Sequence, residues 1–138
     1  MKRVGNLYHK IYDIDNIKLA HKNARKGKTD YVEVIEVDKN IDYYCNLLQE
    51  SLKNKTFQNS PYEVFIKQDK NKTRTIYKLP YFPDRILHHA ILQVLEPIWK
   101  KTFIKNTYQS IRGRGVHKAK SDVCKAIKTY DACSEVYY

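Results

Sequence analysis

The chain has 138 residues, 42% of them hydrophobic, with four Gly and four Pro. That is enough for a domain with a core, and too little Gly and Pro for a low-complexity chain. The net charge is +11, and no apolar run reaches the ~18 residues that a membrane span requires.

The opening MKRVGNLYHK lacks the apolar core of a signal peptide. Residues 14–26 place Ile14, Ile17, Leu19, Ala20 and Ala24 at helical spacing, and Gly27 is a stop signal. KGKTDY reads as a turn. YVEVIEV (31–37) alternates imperfectly and reads either as a short strand or as the lead-in to a helix. Asp38 is then expected to cap a helix over 39–54, with Ile41, Tyr44, Cys45, Leu47, Leu48 and Leu52 as its buried stripe. SPYEVFIKQ and KTRTIYKLP predict a β-hairpin around Asp69-Lys70-Asn71. Tyr62, Val64 and Ile66 share one face of it, and Thr73, Thr75 and Tyr77 alternate with Arg74, Ile76 and Lys78. DRILHHAILQVLEPIW carries a continuous stripe from Ile86 to Ile98, bracketed by Pro83 and Pro97. A last helix is expected over about 115–130, and SEVYY reads as the start of a strand. The fold class is α/β in the α+β sense: N-terminal helices (1–60), then a basic hairpin, further helices and a final strand (61–138).

The charge is local. Residues 97–130 hold nine Lys or Arg against one acid, Asp122. Residues 66–79 hold Lys67, Lys70, Lys72, Arg74 and Lys78 against Asp69 alone. Two such basic segments are the footprint of a polyanion, either nucleic acid or a nucleoside triphosphate. Lys67 and Arg74 on paired strands can grip two phosphates, one as a point charge and one as a fork. Solvated lysines that guard a sheet edge are the plainer alternative. Arg112-Gly113-Arg114-Gly115 opens the last helix with backbone N–H groups and glycines that admit an anion, or else forms an ordinary capping turn. Tyr108 either packs in the core or stacks on a base or sugar.

Metal and acid–base chemistry find little support. His88 and His89 point about 100° apart on their helix, and His117 is expected to bond backbone in the first turn after the loop. Asp13, Asp15, Asp38, Asp42, Asp69 and Asp84 all have cap, turn or surface explanations. Cys45, Cys124 and Cys133 have no Cys-x-x-Cys spacing, which points to a reducing cytoplasm and away from disulfides or zinc. The sequence therefore supplies binding groups, with no catalytic or metal-ligating residue assigned.

The order of segments carries more than any one of them. A basic hairpin precedes Leu79-Pro80-x-x-Pro83-Asp84-Arg85-Ile86-x-x-x-Ala90-Ile91. Leu95-Glu96-Pro97-Ile98, Thr107-Tyr108 and Gly113-Arg114-Gly115-x-His117-x-Ala119 follow. This series resembles the fingers of bacterial and phage reverse transcriptases. It is most similar to the group-II-intron-like branch and to the enzymes of diversity-generating retroelements. The opening MKRVGNLYHKI and residues 23–28 resemble that branch's N-terminal extension.

The resemblance implies that Lys67, Arg74 and Arg114 contact the triphosphate of an incoming dNTP. It implies that Lys72, Lys78, Arg85, Tyr108, Arg112, His117 and Lys118 face the RNA template and DNA primer. The loop corresponds to the family's Tyr-Gly-Phe-Arg-Pro-Gly-Arg-Ser-x-His, with Ile111 where the first arginine is usual and Arg112 at the proline position. In the family the metal-binding aspartates come later in the chain, in the palm. The expectation is an incomplete fingers–palm unit, inactive alone, whose parent uses Mg²⁺ held by ligands outside this chain. Surface left open by truncation is expected to favour dimerisation. The alternative is a stand-alone, non-enzymatic RNA- or DNA-binding module.

Overall fold

The computed structural model describes residues 3–70 and 72–129, in two compact units, 1–99 and 100–138. It is an α+β protein of six helices and one two-stranded antiparallel sheet among the described residues. No helix among them is long and apolar enough to cross a membrane.

The first unit begins with α1 (Tyr8–Ile11) and α2 (Ile14–Ala24). Asp13 caps α2 by accepting from the backbone N–H groups of Asp15 (3.0 Å) and Asn16 (3.3 Å). Gly27, at φ +70°, follows its end. Helices α3 (Val32–Lys39) and α4 (Ile41–Lys53) come next. Ile17, Ala20 and Ala24 on α2 face Cys45, Leu48 and Leu52 on α4, both sets spaced i, i+3, i+7. Ala20 is fully buried, so the core holds small residues as well as large ones.

The segment 31–37 is thus a helix and not a strand. Val34 and Val37, three apart, enter the core while Val32 stays 79% exposed. Asp38 does not cap the following helix, as its position before the apolar stripe led one to expect. It lies inside α3, and the break between α3 and α4 falls at Asn40 (φ −145°, ψ 51°). Asp38 instead binds two side chains of α2. His21 Nε2 lies 2.9 Å from its Oδ1, and Arg25 Nη2 lies 2.7 Å from its Oδ2. His21 is buried, and its Nδ1 meets the Tyr81 hydroxyl at 3.0 Å. The same Tyr81 hydroxyl lies 3.3 Å from the His21 backbone carbonyl, which it can also serve as donor. Burial, with the Asp38 charge adding to it, pushes the Tyr81 phenol up to about 12, so it stays a donor.

Strands β1 (Glu63–Asp69) and β2 (Lys72–Lys78) pair in register from Glu63–Lys78 to Asp69–Lys72. A wide turn, 81–85, with Phe82 extended and a cis Phe82–Pro83 peptide, leads into α5 (Ile86–Lys100). Ile86, Leu87 and Ala90 join the core, and Ile91 packs against it. An amide ladder ties α5 to α2. Gln93 Nε2 donates to Asn16 Oδ1 (2.8 Å), Asn23 Nδ2 donates to Gln93 Oε1 (2.8 Å), and Asn16 Nδ2 donates to the Ala90 carbonyl (3.1 Å). Asp84, read from the sequence as a cap, turn or surface group, is 1% exposed and accepts from the Ser60 N–H at 3.3 Å. The residue is acidic but sits where the hairpin meets the core, which spacing alone does not reveal.

The second unit contains α6 (Val116–Thr129), none of whose residues is buried. The expected strand at SEVYY lies outside the described residues.

Two substitutions test this core. Leu48→Ala should cost about 2–5 kcal/mol, the range for opening a cavity at a buried leucine. Tyr81→Phe should cost about 1–2 kcal/mol, because the buried His21 loses the hydroxyl that bonds its ring and carbonyl. Urea unfolding followed by far-UV circular dichroism, with unchanged denaturant slopes, measures both.

Candidate nucleotide and nucleic-acid interface

Alternation along paired strands settles which hairpin side chains share a face. Opposed residues point the same way, so Glu63–Lys78, Phe65–Ile76, Lys67–Arg74 and Asp69–Lys72 line one face. Two of these pairs join an acid to a base. Lys67–Arg74 sets two cations directly opposite each other, an arrangement that weakens a strand pair. Both residues are exposed. The nearest relief is diagonal, from Arg74 Nε to Asp69 Oδ2 at 3.3 Å, with the two side chains 62% and 42% exposed. An ion pair that open to water contributes about 0–1 kcal/mol and separates easily. Lys67 has no ion-pair partner among the described residues. Asp69, Lys70, Lys72 and Arg74 line an open recess of about 490 Å³ at the hairpin tip.

Lys78, named with these cations from the sequence, is neutralised. Its Nζ lies 2.9 Å from Glu33 Oε1 on α3 and 3.4 Å from Glu63 Oε2 across the strand. Glu33 does more than balance charge, since its Oε2 accepts from the Tyr81 backbone N–H at 2.7 Å. One carboxylate therefore grips the last residue of β2 and the chain just beyond it. The hydrogen bond from Lys78, joined by that from Tyr81, holds the Glu33 carboxyl below its ordinary 4.5.

At the hairpin's base, Tyr62, Phe65, Tyr77, Lys78, Arg85 and His88 are among the residues lining a recess of about 360 Å³. Arg85 is exposed in the turn that starts α5. Its neighbour His89 is partly buried, which lowers the pKa of its imidazole below the ordinary 6.5. His88 and His89 do not belong to any metal-holding group among the described residues.

In the second unit, Gly113 takes φ +78° and the Arg114 N–H donates to the Ile111 carbonyl at 3.0 Å, closing a turn. Arg114 Nη1 donates to the carbonyls of Lys105 (3.0 Å) and Thr107 (3.3 Å), neutral acceptors that orient the guanidinium without cancelling its charge. The Tyr108 hydroxyl donates to Asp122 Oδ2 (2.8 Å), and Lys118 Nζ lies 2.7 Å from Asp122 Oδ1. Asp122 thus fastens the loop to α6, and its hydrogen bond raises the Tyr108 phenol. Arg112 and His117 are exposed.

The structure brings Lys67, Lys72 and Arg74 together on the hairpin, and it joins Tyr108 and Lys118 through Asp122. Arg114, Arg112 and His117 belong to the second unit. Sequence reasoning missed Glu33 and the aromatic lining of the basal recess. The recess had a signal, because Tyr62, Phe65 and Tyr77 interleave with Lys67, Arg74 and Lys78. Glu33 had none, standing 45 residues from Lys78. No family model matches the chain, and no curated protein matches it.

Because the Glu33 carboxyl is depressed in the folded state, its contribution is complete above the ordinary value. It is lost as pH falls through the lower, folded value. Acidification from about pH 5 to about pH 3 should lower the melting temperature of the native protein more than that of Glu33→Gln, as thermal circular dichroism would measure. At pH 7, Glu33→Ala should cost about 1 kcal/mol, solvent having screened part of the ion pair.

Proposed function

We propose that this chain is the nucleotide- and template-gripping fingers segment of a reverse transcriptase, an RNA-directed DNA polymerase. The sequence resemblance to that family supports the reading. The observation that carries it is the opposed Lys67–Arg74 pair, two like charges paired where the neighbouring pairs are complementary. An anionic ligand that bridges both converts the repulsion into two charge-assisted contacts. A triphosphate does so with one phosphate on the Lys67 ammonium and the next on the Arg74 fork, displacing Asp69. In the second unit Arg114 is aimed by carbonyls and keeps its charge, which suits it to a phosphate. Exposed Lys72, Arg85 and Arg112 suit the template backbone.

The Mg²⁺ that the resemblance implies has no fitting donor set among the described residues. No three His, Cys, Asp or Glu cluster there. On this reading the metal's ligands lie outside the described residues.

Calorimetric titration with metal-free tripolyphosphate tests the clamp. Lys67→Ala and Arg74→Ala should each weaken binding roughly tenfold, as expected for one lost charge-assisted contact. Asp69→Asn should strengthen it a few-fold by removing the competing carboxylate. Loss of RNA affinity in Arg74→Ala with tripolyphosphate binding unchanged would favour a non-enzymatic nucleic-acid-binding module instead.

A further inference from the structure

The hairpin carries more exposed aromatic surface than its own stability explains. A two-stranded hairpin is marginal in water and normally buries a face against something. Here Tyr62 is 61% exposed, Tyr77 64% and Phe65 43%. The Tyr62 and Tyr77 rings meet edge to face, centroids 6.0 Å apart at 87°, which holds both rings in place while each stays mostly open to solvent. Both border the recess at the hairpin's base, whose lining contains no acid.

The cations around that recess are not equivalent. Lys78 is neutralised by Glu33 and Glu63. Arg85 is exposed and has no ion-pair partner among the described residues. Exposed His88, three positions along the chain, borders the same space. The volume of about 360 Å³ is at the small end of ligand pockets, which run ~300–1,000 Å³. That is room for one planar group with its attached sugar. Aromatic rings beside an unneutralised arginine are how single strands are held: rings take the base, and the cation takes the phosphate.

We propose that the recess formed by Tyr62, Phe65, Tyr77, Arg85 and His88 holds one unpaired nucleotide of a single-stranded nucleic acid, its base against the tyrosine rings and its phosphate on Arg85. This deepens the nucleic-acid side of the function proposed above and rests on that reading. It assigns the strand a seat at the hairpin's base, apart from the Lys67–Arg74 clamp nearer the tip.

The test compares a short single-stranded RNA with an abasic strand of the same length, each measured by fluorescence anisotropy at two salt concentrations. The native protein should prefer the base-bearing strand. Tyr62→Ala or Tyr77→Ala should weaken that strand about tenfold and leave the abasic strand unchanged, whereas Tyr62→Phe should retain the preference. Arg85→Ala should weaken both strands and reduce the salt slope by about one. Because both tyrosines are more than half exposed, circular dichroism should find these variants folded. The seat is refuted by equal binding of the two strands to the native protein, by no binding of either, or by equal losses in Tyr62→Phe and Tyr62→Ala. Intact base preference with no tripolyphosphate binding would sink the triphosphate clamp and leave the seat standing.

Discussion

The direction of the hairpin is set first by the Glu33 carboxylate. Nearly every strand residue is exposed, so the two strands have no packed face to fix their direction. Their orientation must come from the base, and there the core reaches out with two acids. Glu33 on α3 takes the Lys78 ammonium and the Tyr81 N–H, on the chain leaving β2. Asp84 takes the Ser60 N–H, on the chain entering β1. The second contact is costly: Asp84 Oδ2 is buried with no partner among the described residues. The Asp84 side chain thus holds the chain entering β1 at a cost in desolvation.

The same accounting sorts the basic surface. A net charge of +11 says only that anions are attracted. The structure neutralises Lys18 with Asp42, Arg25 with Asp38, Lys78 with Glu33 and Lys118 with Asp122. These pairs hold helix to helix, strand to helix or turn to turn. Lys67, Lys72, Arg85 and Arg112 stay exposed with no ion-pair partner among the described residues. Three of them stand on or beside the hairpin. These pairs take Lys78 and Lys118 out of the two basic segments, and most of the other cations there stay exposed to an anion.

Period was legible, and partnership was not. Helices α2, α4, α5 and α6 show in the sequence because their apolar residues recur at helical spacing, and the hairpin because its strands alternate around Asp69-Lys70-Asn71. The opposition of Lys67 and Arg74 was not legible, because a turn of Asp69-Lys70-Asn71 would set Lys67 against Thr73, whereas Asp69 pairs with Lys72 inside the strand. Residues 31–37 defeated the same method, since three valines in seven positions satisfy a strand's alternation about as well as a helix's repeat. What decides them is Val34 and Val37 entering a core built by other helices. Asp38 misled for a related reason. An aspartate just before an apolar stripe has the signature of a cap, but the buried His21 and the Arg25 guanidinium, far back in the chain, offered its carboxylate stronger bonds.

The loop at 111–115 shows how a weak motif acquires chemical content. Two arginines alternating with two glycines describe a turn or an anion nest equally well. Gly113 at φ +78° lets the chain reverse between the arginines, and the Arg114 N–H closes the turn on the Ile111 carbonyl. Ile111 is half-buried and serves the turn through its backbone. Arg114 is then oriented by two carbonyl dipoles, while Arg112 is exposed. Carbonyls and carboxylates differ here in kind. A carboxylate holding an arginine competes with an incoming anion, as Asp69 does through the Arg74 Nε. A carbonyl fixes the direction of the guanidinium and leaves its full charge for the ligand. Of the two arginines proposed to meet phosphate, Arg114 is the preorganised one and Arg74 the one with a carboxylate competing for it.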